Sequence, residues 1–366
     1  MDFRNEIQYW QEERGLVQME KFSDFISEQK NEEPYRIICF YHADDLLQDT
    51  PVNNHLEMMS VMNNASKKSG VEIHYADYVG SYLSEKNGKT ILHSLSIDKK
   101  TGHYIKPDLK TKETNYIAIE LNQENDIILY RDLPSRNVKR RWLDLIKELE
   151  FKNFTTINSL ECYDICASKY LTDVYLKEQK LLTPKTSYIT NISDAQRAFE
   201  SLNTKFPVVL KASAGSQTGI GVVILESMRS LDASVQMCAY LDVPMVIQEY
   251  VKTDFDVRVI VLDGVVLGAM KRKVITDDFR SNVSLGADSE MIELIDIEME
   301  DSIIAANAVK GRLVGVDFIP AKNRKKERPY ILEVNATPGF SGIEQIHKGT
   351  VSTILDYFKN RDNWRK

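Results

Sequence analysis

The chain has 366 residues, of which 43% are hydrophobic, 9% aromatic and 28% charged, with a formal net charge of −7. This is more chain than one ordinary core organises and its composition is globular, so two or three packed units are expected and a largely disordered or fibrous chain is excluded. The longest apolar runs, such as 222–225 and 259–262, fall far short of the roughly 20 residues that cross a bilayer, and the acidic balance argues against a surface built to neutralise nucleic-acid phosphates, so neither a membrane nor a nucleic-acid partner is expected.

The opening Met-Asp-Phe-Arg-Asn-Glu is acidic where a secretory signal is basic and then apolar, which makes the cytoplasm the expected compartment. Cys39, Cys162, Cys166 and Cys238 form no CxxC pair and are expected as small buried hydrophobes. Residues 1–33 show weak helical periodicity and end at Glu33-Pro34, the pattern of a helical N-terminal extension. From Tyr35 an apolar run at 37–40, an amphipathic stretch at 55–68 closed by Gly70 and a second run at 71–75 predict strand, helix and strand of a parallel α/β layer. Residues 80–115 are polar, with Gly-Lys and Thr-Gly turns that read as a hairpin or surface excursion. A strand at 126–130 and a helix at 142–150 then close an N-terminal α/β domain over 34–155.

The next unit, 156–250, opens on an amphipathic helix at 167–182 broken by Thr183-Pro184. Strands follow at 186–189, 207–211, 221–225 and 244–250, with helices at 193–201 and 231–240. The segment 251–366 reads as strands at 257–262 and 265–273 joined by Asp263-Gly264, a helix at 302–310, and strands at 314–320 and 330–334. Tight turns between strands make this half antiparallel, so the fold class is α/β followed by α+β.

Two segments carry chemistry. Ala214-Gly215-Ser216-Gln217-Thr218-Gly219-Ile220-Gly221 lies between two predicted strands, where glycines admit backbone N–H groups to an anion and the hydroxyls add donors. A strand after the loop, in place of a helix, excludes a Walker loop and a dinucleotide fingerprint; the alternative is an ordinary glycine-rich hairpin. Lys211 just before the loop is placed to reach phosphate oxygens as a point charge, and Lys169 opens the preceding helix. In Tyr330-Ile331-Leu332-Glu333-Val334-Asn335, strand alternation puts Glu333 and Asn335 on one face. Asp317, polar amid apolar neighbours in a nearby strand, completes a set of hard oxygen ligands suited to Mg²⁺. Pairing of these acids with lysines is the alternative.

At these residues the chain resembles the ATP-grasp superfamily, and within it the RimK-type carboxylate–amine ligases. The resemblance rests on Phe206-Pro-Val-Val-Leu-Lys211 with its loop, Val246-Ile-Gln-Glu-Tyr-Val251, Asp256-Val-Arg258, Asp278-Phe-Arg-Ser-Asn282, Gly315-Val-Asp317 and Leu332-Glu-Val-Asn-Ala-Thr-Pro-Gly-Phe340, in family order. It implies an ATP-grasp fold behind a pre-ATP-grasp N-terminal domain. It also implies that Lys169 and Lys211 serve the nucleotide phosphates, with Gly215, Ser216, Gln217, Thr218 and Gly219 of the loop, while Gln248, Glu249, Tyr250 and Val251 form a hinge pairing with adenine. Asp256 then lies near the ribose, Arg280, Ser281 and Asn282 lie beside the γ-phosphate with Arg272 as second arginine, and Asp317, Glu333 and Asn335 ligate the metal.

The activity so implied is an ATP- and Mg²⁺-dependent ligase, with Mn²⁺ as a substitute, that joins an amino-acid donor, glutamate among the candidates, to a peptide or protein carboxylate through an acyl phosphate. No protein nucleophile is needed, in keeping with the absence of a nucleophile elbow. Two alternatives stand beside it: a small-molecule ligase of the glutathione-synthetase or amino-group-carrier type acting on a small carboxylate, and a catalytically silent nucleotide-binding regulator. A homo-oligomer is compatible with the sequence. Lys139, Arg140 and Arg141 form a basic cluster suited to an acidic substrate, whereas Lys322 to Arg328 reads as a solvated hairpin tip. The six histidines are scattered and receive no role.

Overall fold

An unbroken apolar run gives the N-terminal unit its central strand. In the computed structural model, which describes residues 34–41, 53–78, 81–95, 116–131, 139–213, 221–273 and 289–364, with the backbone alone at 53–56 and 139–142, that strand is β1 (Arg36–Tyr41). After the helix Asn53–Ser69 comes β2 (Glu72–Asp77), then β3 (Tyr82–Lys86), β4 (Lys89–Leu95), β5 (Tyr116–Glu120), β6 (Asp126–Tyr130), the helix Lys139–Phe151 and β7 (Thr155–Ile157). β2, β1, β6 and β7 pair in that order, all parallel. A central parallel strand is covered on both faces, which is why β1 and β6 carry nearly continuous apolar sequence instead of alternation. The polar excursion is a three-stranded antiparallel sheet, β3-β4-β5, and its first turn, Asn87-Gly88, has φ of 54° and 74°, the left-handed pair that a two-residue hairpin turn demands. β7, the three residues Thr-Thr-Ile, is too short to stand out in the sequence, and β5, Tyr-Ile-Ala-Ile-Glu, is not among the expected strands.

The chain falls into two units, and residues 161–336 form the second. It contains β8 (Thr186–Ile189), β9 (Val208–Ala212), β10 (Val222–Leu225) and β11 (Met245–Glu249), which make an antiparallel sheet in the order β10-β9-β11-β8. Helices Ala195–Ser201 and Met228–Tyr240 cover it, packing Ala198, Leu231 and Val235 with Leu210 and Ile247 in one core. β12 (Phe255–Leu262), β13 (Val265–Lys273), β14 (Ser289–Met291), β15 (Leu313–Ile319) and β16 (Tyr330–Asn335) form a five-stranded antiparallel sheet in the order β14-β13-β12-β15-β16. The β12–β13 turn is Asp263-Gly264, with φ of 42° and 80°.

Two expectations need correcting. The end of the chain does not stay with the preceding β-strands: residues 337–364 belong to the N-terminal unit. There the Tyr35 hydroxyl donates to the Leu355 carbonyl at 2.7 Å, and the helix Thr350–Tyr357 packs its buried Val351, Ile354 and Leu355 on the Asn53–Ser69 side. Thr337-Pro338-Gly339 breaks the strand run, and the apolar helix beyond it finds cover in the first unit. The basic turn is not a solvated tip either. Arg324 grips Glu298 through Nε at 2.8 Å and Nη2 at 2.6 Å, and Arg328 donates to Asp301, both acids lying almost wholly buried on the helix Asp296–Ala308. A buried carboxylate requires a partner, and the turn supplies it, leaving Lys322, Lys325 and Lys326 exposed. Cys39 and Cys162 are buried and Cys166 and Cys238 half-buried, all as free thiols. Among the described residues no helix is long and apolar enough to cross a membrane.

Candidate active site

The five-stranded sheet gathers charge because of its register. Antiparallel pairing sets Arg258 of β12 opposite Asp317 of β15, Asp317 opposite Glu333 of β16, and Asp256 opposite Arg272 of β13. Side chains alternate along a strand, so Asp256 and Arg258 share a face, as do Glu333 and Asn335. Arg258 donates to Asp317 through Nε to Oδ1 at 2.7 Å and Nη2 to Oδ2 at 2.5 Å. Arg272 grips Asp256 with two bonds of 2.7 Å and comes within 3.0 Å of Asp317 Oδ2. Glu333 Oε1 accepts from Asn335 Nδ2 at 3.2 Å and lies 3.9 Å from Arg258.

These contacts outweigh desolvation. Burial pushes the Asp317 carboxyl up, but Arg258 and Arg272 more than reverse it and hold it at about 2. Arg272 is opposed by its own burial, yet Asp317 and Asp256 hold its proton more firmly than in free arginine. The acids pair with arginines, not with lysines, the alternative that the sequence left open. Both oxygens of Asp256, expected near a ribose, are engaged by Arg272.

Across the same unit lies a pocket lined by Lys169, Asp173, Thr186, Lys211, Gln248 and Leu332 among others. The Lys169 amide donates to the Ser213 carbonyl at 2.9 Å, tying the start of the helix Lys169–Glu178 to the end of β9, and Ser168 caps that helix by accepting from the Leu171 amide. Lys211 Nζ donates to Gln248 Oε1 at 2.6 Å, and Gln248 Nε2 donates to Thr186 Oγ1 at 2.9 Å. Burial lowers the Lys211 pKa to about 8; the Glu333 carboxylate raises it and the Lys169 charge lowers it further. The strand of Glu333 reaches this pocket through Ile331 and Leu332, which line it together with Lys211. Glu249 uses its amide on the Lys185 carbonyl at 2.9 Å, and Tyr250 and Val251 follow half-buried beyond β11.

Gly215, Ser216, Gln217, Thr218 and Gly219 of the loop, and Arg280, Ser281 and Asn282, lie outside the described residues, as do the side chains of Lys139, Arg140 and Arg141. Three residues at the site go beyond the sequence expectations. Arg258 was detectable, since alternation places it on the Asp256 face; Thr186 and Asp173 carry no sequence signal. A cavity of about 430 Å³ against Asn63, Lys67 and His74 in the other unit holds none of the expected site residues.

The oxygens of Asp317, Glu333 and Asn335 fit Mg²⁺ by donor chemistry: hard ligands, without His or Cys, on two neighbouring strands. Among the described residues no cluster of three or more His, Cys, Asp or Glu offers a competing metal site.

The RimK-like ATP-grasp domain family matches residues 166–357, which take in both sheets of the second unit. A probable alpha-L-glutamate ligase of Coxiella burnetii is 28% identical over 267 residues, covering 72% of this chain and 82% of that protein. Among solved structures, the ATP-grasp ligase PsnB in complex with its minimal precursor, Mg and ADP superposes with a TM-score of 0.58 at 17% identity, over 90% of this chain and 98% of its own. A D-alanine–D-alanine ligase from Bacillus anthracis complexed with ATP does so with a TM-score of 0.56 at 17% identity, over 90% and 98%.

Proposed function

The chain belongs to the RimK-like ATP-grasp family and is a ligase that joins a carboxylate to an amine at the expense of ATP, and on that premise we propose that it adds an amino acid, glutamate first among candidates, to the carboxylate of a peptide or protein through an acyl phosphate. The carboxylate oxygen attacks the γ-phosphorus of ATP, the bond to the β-phosphate oxygen breaks, and ADP leaves. The amine then attacks the acyl carbon, phosphate departs with the electron pair of the C–O bond, and the nitrogen loses a proton.

The chain's own residues act by position and charge. Lys169 and Lys211, on one wall of the pocket, bind phosphate oxygens, and Lys211 is steered by its bond to Gln248. Arg272, rigid in the grip of Asp256, offers fixed charge to the transferring phosphoryl group and to the later oxyanion. Mg²⁺, held by Asp317, Glu333 and Asn335, would offset phosphate charge that repels the incoming carboxylate. Arg280 and Asn282 are assigned to the same phosphoryl group, and the loop at 215–219 and Ser281 to the nucleotide.

The observation that supports this reading is the register that sets Asp317 beside Glu333, with Asn335 on the same face, in the unit whose pocket is lined by Lys169 and Lys211. The donor assignment is supported by relatives named alpha-L-glutamate ligases, and the peptide acceptor by the likeness to a ligase solved with its precursor. The test is ADP release that requires both a carboxylate and an amine, with hydroxylamine trapping the acceptor as a hydroxamate. Release of AMP and pyrophosphate would overturn the acyl phosphate. A small-molecule ligase would use the same site; mass spectrometry of products from peptide and free-acid acceptors separates the two.

A further inference from the structure

The carboxylate assigned to a cation is already covered. Arg258 bridges both oxygens of Asp317 at 2.7 and 2.5 Å, and Arg272 adds a contact at 3.0 Å. The two arginines are not equivalent. Arg272 is 2% exposed and has a separate anchor in its paired bonds to Asp256. Arg258 is 17% exposed, and its next acid, Glu333, is 3.9 Å away. One arginine is built in and the other is an arm.

A guanidinium that forks across a carboxylate occupies the lone pairs a hard cation needs, and its charge repels that cation. The same fork fits phosphate oxygens. Each group therefore has two ways to be neutralised: by the other, or Asp317 by a divalent cation and Arg258 by an anionic nucleotide. An exchange of partners leaves no buried charge uncompensated at either end, whereas removing only one partner would.

Resting on the reading that Asp317, Glu333 and Asn335 hold the metal, we propose that the Arg258–Asp317 pair is a lock on this chain's cation site, opened when nucleotide phosphates draw Arg258 away, while Arg272 stays on Asp256. Cation and nucleotide then admit one another, and neither binds well alone.

The test reads binding. Mn²⁺ is titrated into the nucleotide-free protein and free Mn²⁺ followed by electron paramagnetic resonance; ADP is titrated by calorimetry in the presence of a chelator. Arg258→Gln should bind Mn²⁺ at least tenfold more tightly than wild type, and Asp317→Asn should bind cation-free ADP at least tenfold more tightly. Arg258→Lys, which keeps the charge and loses the fork, should gain an intermediate amount. Arg312→Gln removes the same charge from the far end of β12, where Arg312 pairs with Asp263 at 2.9 and 2.7 Å, and should change nothing. Affinities within twofold of wild type in both Arg258 variants overturn the lock, as does an equal gain in Arg312→Gln, which would mark a general charge effect. If Glu333→Gln leaves Mn²⁺ binding in the presence of ADP unchanged, the metal site itself is misassigned and the lock falls with it. If Glu333→Gln abolishes that binding while Arg258→Gln gains nothing, only the lock falls.

Discussion

Among the described residues of the second unit, arginines meet buried carboxylates both in the five-stranded sheet and at the basic turn, and the two sets do different work. On β12, β13 and β15, Arg258 and Arg272 converge on Asp256 and Asp317; at the 322–328 turn, Arg324 and Arg328 clamp Glu298 and Asp301. Both sets satisfy the rule that a buried charge needs a partner. They differ in what surrounds them. The clamp ties the turn to one helix and to the Glu293 carbonyl just before it, whereas the sheet row continues from Asp317 to Glu333 on the neighbouring strand, with Asn335 on the same face. Burial and pairing therefore do not mark a site; additional donors converging on the same face do.

That contrast can be broken most directly at its buried end. Asp256→Ala leaves Arg272 inside the sheet with Asp317 alone, and should cost about 3 kcal/mol of stability, the low end for a broken buried pair, while Asp256→Asn, which retains an acceptor, should cost less. Urea unfolding monitored by circular dichroism measures both, and equal stability of Asp256→Ala and wild type would show that Asp256 does not hold Arg272.

Glu333→Gln and Asn335→Ala come next. Each should lower turnover by about a hundredfold, the scale for removal of one group that stabilises transferring charge, with the melting temperature nearly unchanged because both side chains are only partly buried. Near-normal ADP release at low Mg²⁺ would move the metal elsewhere. At the clamp the pattern should invert: Glu298→Ala should cost about 1 to 3 kcal/mol through the unpaired groups left behind and leave kcat for correctly folded enzyme unchanged. A fall in kcat without a fall in stability would place the clamp in the site.

The smallest effect concerns pH. The Lys211 pKa is lowered to about 8 in the folded protein, primarily by burial, and is about 10.4 in an unfolded chain. Between these values the unfolded chain binds the extra proton, so nucleotide-free protein should gain stability as pH rises from about 8 toward 10 relative to Lys211→Met. ATP binding should run the opposite way. The folded protein loses the cation above about 8, and affinity should weaken by up to about tenfold per pH unit there. Lys211→Arg, charged throughout, should flatten that profile in a calorimetric titration; an unchanged slope would remove Lys211 from the phosphate site.

The sequence by itself determined much of this protein. The apolar run at 37–40 reads as a strand of a parallel layer, Asp263-Gly264 reads as a tight turn between strands, and alternation in Glu333-Val334-Asn335 puts two oxygen donors on one face whichever strand lies alongside. Local chemistry sets all of these. Tertiary structure alone decided who meets whom. Arg258 finds Asp317 across 59 residues and Lys211 finds Gln248 across 37, pairings set by strand order and register, which no local window contains. The same cause explains why the turn at 322–328 and the end of the chain depart from expectation. A basic run is solvated or clamped, and an apolar helix is local or borrowed by another unit, according to which surface the fold brings against it, and the energy of that meeting resides in a partner distant in sequence.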